Sequence, residues 1–164
     1  MMKKIFLIPL FILLLVGCEK PIRGVVISAD VNFLFVNAKG EDLLNANTLR
    51  ALTEENVDIF VLKNGLKVRL YQGNLDAAKF FKIRTENGKS RFQMYFDISP
   101  ENFVGNKITQ YIRYKDGTED EVVGEFNSDR KSNTLLQQIW INGLAKSRSE
   151  TANSGQTPIV IVKQ

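Results

Sequence analysis

A chain of 164 residues, 44% apolar and 24% charged, has the size and composition of one ordinary globular domain. Its formal charge of +4 includes Lys3 and Lys4; without the first seventeen residues, 20 basic side chains face 18 acidic ones. That near balance, with no RNP pattern, helical basic region or zinc-finger spacing, excludes a nucleic-acid partner. Histidine is absent, which excludes Ser-His and Cys-His nucleophiles, His-ligated metals and the commonest general base near neutral pH.

The first predicted element opens the chain. Residues 1–4 are positively charged and residues 5–16 form a twelve-residue apolar run that includes Pro9. A transmembrane helix needs about 20 apolar residues, so this run is too short to span and fits the apolar core of a signal peptide. It ends on Leu15-Val16-Gly17-Cys18, which resembles the lipobox of bacterial lipoproteins. The resemblance implies a signal peptide over 1–17 cleaved after Gly17, a diacylglyceryl thioether on Cys18, and N-acylation of the new amino terminus. A thiol is the nucleophile able to carry the lipid, and a small residue before it gives the peptidase access. Several acyl chains, at about 0.8 kcal/mol per buried methylene, anchor far more firmly than a single one. The only cysteine is thereby spent, leaving no disulfide, thiol nucleophile or thiolate metal site, and no other cofactor is expected.

Residues 18–24 are then a lipidated tether. Its sequence, Glu19-Lys20-Pro21-Ile22-Arg23, lacks the acidic run that resembles a surface-export signal in Bacteroidota-type lipoproteins, and residue 19 is not Asp. By that resemblance the protein belongs to the inner leaflet of the outer membrane, facing the periplasm. Surface exposure is the other orientation.

From residue 25 to 164 the sequence predicts one all-β domain. "VVISADVNFLFVN" alternates Ile27, Ala29, Val31, Phe33 and Phe35 with Ser28, Asp30 and Asn32, the pattern of a half-buried strand. Similar runs fall near 56–63, 66–72, 79–86, 89–98, 107–114, 118–126, 134–142 and 158–163, separated by Asn64-Gly65, Asn87-Gly88, Asp116-Gly117 and Asn142-Gly143. Asn-Gly between alternating runs marks a hairpin, because type I′ turns need positive φ at both central residues. Eight or nine short strands predict an antiparallel β-sandwich, immunoglobulin-like or transthyretin-like. The one helical stretch to consider, 48–56, amounts to a single turn, and the polar run 146–157 reads as a loop before Pro158 opens the last strand.

Two registers follow from side-chain faces. A two-residue loop at Asn87-Gly88 pairs Arg84 with Arg91, Ile83 with Phe92, Lys82 with Gln93 and Phe81 with Met94, leaving one face apolar. A three-residue loop, Lys115-Asp116-Gly117 with Gly117 left-handed, pairs Arg113 with Glu119 and Lys107 with Glu125, and groups Ile108 and Ile112 with Val122 and Phe126.

A wider likeness rests on "DVNFLFVNAKGEDLLNANT", "YIRYKDGTEDEV", "LLQQIWINGLAK" and "PIVIVK". These stretches resemble small Bacteroidota-type outer-membrane lipoproteins with β-sandwich domains. The likeness implies fold and compartment and carries over no catalytic residue.

Several groups are candidates for chemistry. Lys67, Arg69, Tyr71, Lys82, Arg84, Arg91 and Tyr95 are expected on the outward face of strands 66–97. Arg84 opposite Arg91 is destabilising unless an anionic partner neutralises the pair. Asp116, Glu119, Asp120 and Glu121, with Glu125, form an acidic cluster that would suit calcium or simply a solvated turn facing Lys107 and Arg113. Trp140 would stack on a sugar ring or lie half buried against a strand. In Gly40-Glu41-Asp42, Asp42 or Asn45 is expected to cap backbone N–H groups while Leu43 and Leu44 plug the sandwich. The expected function is a non-enzymatic, lipid-anchored envelope protein that binds or scaffolds an envelope protein, glycan or lipid. The alternatives are a small hydrolase working through two carboxylates and a subunit of an outer-membrane assembly joined by an open sheet edge.

Overall fold

Residues 26–127, 133–146 and 158–163 are described by the computed structural model. Every run of alternating sequence becomes a strand. In chain order these are β1 (Val26–Ser28), β2 (Asp30–Asn37), β3 (Val57–Lys63), β4 (Leu66–Arg69), β5 (Phe81–Glu86), β6 (Lys89–Tyr95), β7 (Lys107–Tyr114), β8 (Glu119–Phe126), β9 (Asn133–Ile141), β10 (Leu144–Lys146) and β11 (Ile159–Lys163). The larger sheet has the order β1-β9-β8-β7-β3-β4, with β10 also on β9, and the smaller has the order β11-β2-β6-β5. Their facing sides enclose the core, which makes the fold an all-β sandwich.

Three details depart from the expected antiparallel arrangement. Both sheets are mixed, because β1 runs parallel to β9 and β11 runs parallel to β2. Alternation reports which face a residue occupies but not the direction of the neighbouring strand. The first run is also broken at Ala29, where the chain leaves the larger sheet for the smaller, and the Ala29 carbonyl accepts a 2.8 Å hydrogen bond from the Phe96 N–H. Ile27, expected to point inward, is therefore 59% exposed on an edge strand of the wider sheet. Finally, β10 adds a strand after Asn142-Gly143 that includes Lys146, while 147–157 lies outside the described residues.

Residues 48–56 form successive turns and no helix. Asn56 explains why: its side-chain oxygen accepts from the Thr53 N–H at 2.8 Å while its amide donates to the Ala51 carbonyl. An Asn that bonds its own neighbourhood competes with helical pairing.

Turn chemistry matches the registers. Asn64, Asn87 and Asn142 have φ near 50° and the glycine after each is also left-handed, as type I′ turns require. The β5–β6 pairing runs from Phe81↔Met94 to Glu86↔Lys89, and β7–β8 runs from Lys107↔Glu125 to Arg113↔Glu119 with Gly117 at φ 84°. Both hairpins have the expected register.

Phenylalanines dominate the core. Phe81 stacks on Phe92 at 4.5 Å, and Phe35 meets Phe92 and Tyr114 edge-on at 5.3 and 6.2 Å. These pairings favour one arrangement beyond simple area burial. Fully buried Gln110 on β7 ties the sheets together, accepting from the Asp97 N–H at 2.7 Å and donating to the Tyr95 carbonyl at 3.2 Å.

Candidate functional site

The seven residues expected on one outward face do not share one. Lys67 and Arg69 lie on β4 in the larger sheet, whereas Lys82, Arg84, Arg91 and Tyr95 lie on β5 and β6 in the smaller. Tyr71 lies beyond the end of β4, exposed on the segment that crosses between the sheets. Consecutive hairpins read as one surface only if the chain stays in one sheet, and here residues 70–80 carry it from one to the other.

The two cations of the larger sheet are already neutralised. Lys67 is bonded to the Glu119 carboxylate, and its Nζ sits 3.7 Å over the Tyr111 ring. Arg69 Nη2 is 2.8 Å from Asp58 Oδ1, and Lys79 Nζ approaches the same oxygen at 3.1 Å. Partial burial pushes the Asp58 carboxyl up, but the hydrogen bonds from Arg69 and Lys79 outweigh it and hold the group below its ordinary value. Glu119 is likewise held low, first by Lys67 and then by Arg113, whose Nε donates to it at 2.6 Å.

The smaller sheet differs. Arg84 stands directly opposite Arg91. Lys82 has Asp76 at 3.4 Å, but the contact shown for Arg84 is a long one, its Nη2 to the Tyr95 hydroxyl at 3.5 Å. Among the described residues no carboxylate forms an ion pair with either guanidinium. Asp30 on this face accepts from Gln93 at 2.8 Å, and Glu86 is paired in register with Lys89.

Beside these cations lies an apolar patch that the sequence reading missed. Phe33 and Phe35 point into the core, so alternation sends Leu34 and Val36 outward, where both are half buried. In β11, Ile161 is buried while Val160 and Val162 are 50% and 62% exposed. The parallel register sets Val160 beside Leu34 and Val162 beside Val36. The signal was present in "PIVIVK", an apolar strand with no polar alternation, but its neighbour was not legible.

The acidic cluster is dispersed by the strand itself. Glu119 and Glu121 point outward, the latter accepting from the Tyr111 hydroxyl, while Asp120 points into the sandwich and Asp116 accepts from Thr118 in the turn. Among the described residues no three carboxylates converge on a point that would hold a cation. Asp120 instead accepts from Tyr114 at 2.6 Å, Asn142 at 2.9 Å and Lys163 at 2.8 Å. Burial alone would raise its carboxyl, and these three donors hold it below its ordinary value.

Trp140 is half buried between Val123 and Ala145, with Lys107 Nζ 4.3 Å over its ring. In the loop after β2, Asp42 accepts from the Leu44 N–H, Asn45 accepts from the Asn47 N–H, and Leu43 and Leu44 are buried, as expected for a structural plug.

At one end of the sandwich a cleft of about 470 Å³ is lined by Thr53, Glu55, Asn56, Asp58, Arg113 and Tyr114. Two carboxylates line it, Glu55 and Asp58, and the hydrogen bonds from Arg69 and Lys79 hold the Asp58 carboxyl below its ordinary value. Cys18 lies outside the described residues. No family model, curated protein or solved structure matches the chain.

Proposed function

We propose that this chain is a lipid-anchored protein of the bacterial envelope, held through acylated Cys18 in the inner leaflet of the outer membrane, and that it is a non-enzymatic binding module. Its working surface is the outer face of the smaller sheet, and its partner is anionic. One observation carries the choice of face: Arg84 and Arg91 are directly opposed with no carboxylate paired to either among the described residues. Like charges across a strand pair destabilise the fold, and an anion taken up between two guanidiniums offsets that cost through charge-assisted, bidentate hydrogen bonds. The leader supports the address, since a twelve-residue apolar run that closes on Leu15-Val16-Gly17-Cys18 resembles a lipoprotein signal.

The test has two parts. Cells expressing the chain are fed an alkyne fatty acid: the wild type becomes labelled and Cys18→Ala does not, and labelling of both would refute the anchor. Binding to envelope fractions is then compared with that of Arg84→Glu/Arg91→Glu at low and high salt. Binding weakened by salt and by the substitutions supports the face, whereas equal binding by both proteins moves the site elsewhere.

A further inference from the structure

We infer that the outer face of the smaller sheet docks on the anionic bilayer that carries the lipid anchor, so that the partner of Arg84 and Arg91 is lipid phosphate and the domain lies flat on that side. This deepens the reading above and rests on its lipid anchor.

The first argument is chemical. Leu34, Val36, Val160 and Val162 point out of the sheet as one block across β2 and β11. Arg84, Arg91 and Lys89 lie on the same face of β5 and β6, in phase with Gln93, which pairs with Asn32. The carboxylates on this face are Asp30, which accepts from Gln93, and Glu86, in register with Lys89, so Arg84 and Arg91 remain without an ion pair among the described residues. Aliphatic side chains beside guanidiniums match the headgroup boundary, where the former reach the acyl region and the latter take phosphate oxygens.

The second argument is placement. Lys163 on β11 reaches Asp120 on β8, whereas Lys79, just before β5, bonds the Val57 carbonyl at the start of β3. The β11 edge of the smaller sheet therefore lies on the same side of the sandwich as β1, the strand that the tether enters at Val26. The eight residues 18–25 can extend to about 28 Å, well beyond the roughly 10 Å between packed sheets. The anchor thus reaches the bilayer while the smaller sheet rests on it.

The experiment uses the lipidated protein reconstituted on vesicles of phosphatidylcholine with and without phosphatidylglycerol. With Cys18 capped by lipid, Val162→Cys introduces the single reactive thiol, which is labelled with an environment-sensitive fluorophore. Thr109→Cys, on the outer face of the larger sheet, is the control. On vesicles containing phosphatidylglycerol the label at 162 is expected to blue-shift and to be quenched by lipids carrying a shallow nitroxide, and the label at 109 to stay in water. High salt, or Arg84→Glu/Arg91→Glu, abolishes the shift without releasing the protein. A protein that floats with the vesicles while its 162 label stays in water overturns the docking but keeps the anchor. Equal shifts at 162 and 109 also overturn it. A protein that does not float with the vesicles at all overturns both.

Discussion

Lys163, on the outermost strand of the smaller sheet, holds its ammonium 2.8 Å from the carboxylate of Asp120 on the larger one. The same ammonium lies 3.9 Å over the ring of Tyr114, whose hydroxyl donates 2.6 Å to that carboxylate. Asn142 completes the set from the β9–β10 turn. With Asp120 only 5% exposed, this cluster is where the edge strand β11 is fastened across the sandwich to its facing sheet.

Removing Asp120 should be the costliest of the polar changes. Asp120→Ala leaves a partly buried ammonium and a buried phenol without their acceptor, and breaking a buried pair in this way costs about 3–5 kcal/mol. Lys163→Met keeps the stem over Tyr114 and should cost less. Urea midpoints of the two variants and of their combination check this, and the combined loss should fall short of the sum.

Acid should loosen the same contacts. Asp120, Asp58 and Glu119 are held below their ordinary values, so the unfolded chain binds protons before the native one does. Their contribution is therefore whole above about pH 5 and is lost as pH falls through the native values. At the other end, burial first and Asp120 second raise the Tyr114 phenol, so the native state keeps a proton that the unfolded chain gives up. That contribution is whole below about pH 10 and is lost above it. The urea midpoint against pH should show a plateau falling at both ends, with the acid limb shallower in Asp120→Asn.

Gly124 in β8 is a packing requirement of the core. A Cβ at this position would lie 2.7 Å from Phe96 Cζ and 3.0 Å from Leu136 Cδ1. Both are buried side chains with little room to retreat, so Gly124→Ala should destabilise by about 1–3 kcal/mol. A midpoint equal to wild type would mean that Phe96 can move.

Arg84→Glu should do the opposite. It converts the direct Arg84–Arg91 opposition into a complementary pair, worth roughly 0.2–1 kcal/mol in favour of the fold. The same change should weaken attachment to anionic surfaces. A variant that is more stable and binds less would mark the arginine pair as kept for binding, and calorimetry beside vesicle flotation measures both.

The strands and hairpin registers were legible because their signals are local. Asn87-Gly88 fixes a turn type, the turn type fixes a register, and the pairing Ile83↔Phe92 confirms which face is apolar. What was not legible is non-local. Nothing in "VVISADVNFLFVN" says that Ala29 is a crossing point between sheets, and nothing around Leu70 says that Lys67 and Arg84 part company there. Asp120 looked like one of several acids because the partner that matters, Lys163, is forty-three positions away on another strand. The left-handed backbones of Arg50 and Phe80 had no glycine to announce them.

The two parallel pairings also dictate an order of events during synthesis. Val26 in β1 must wait for Asn133, 107 positions later, and β2 must wait longer still for β11. Until then β2 has β6 on one flank and bare backbone groups on the other. Both sheets therefore stay unfinished until the end of the chain has been made, and a holding factor would suit the growing chain better than folding as it emerges.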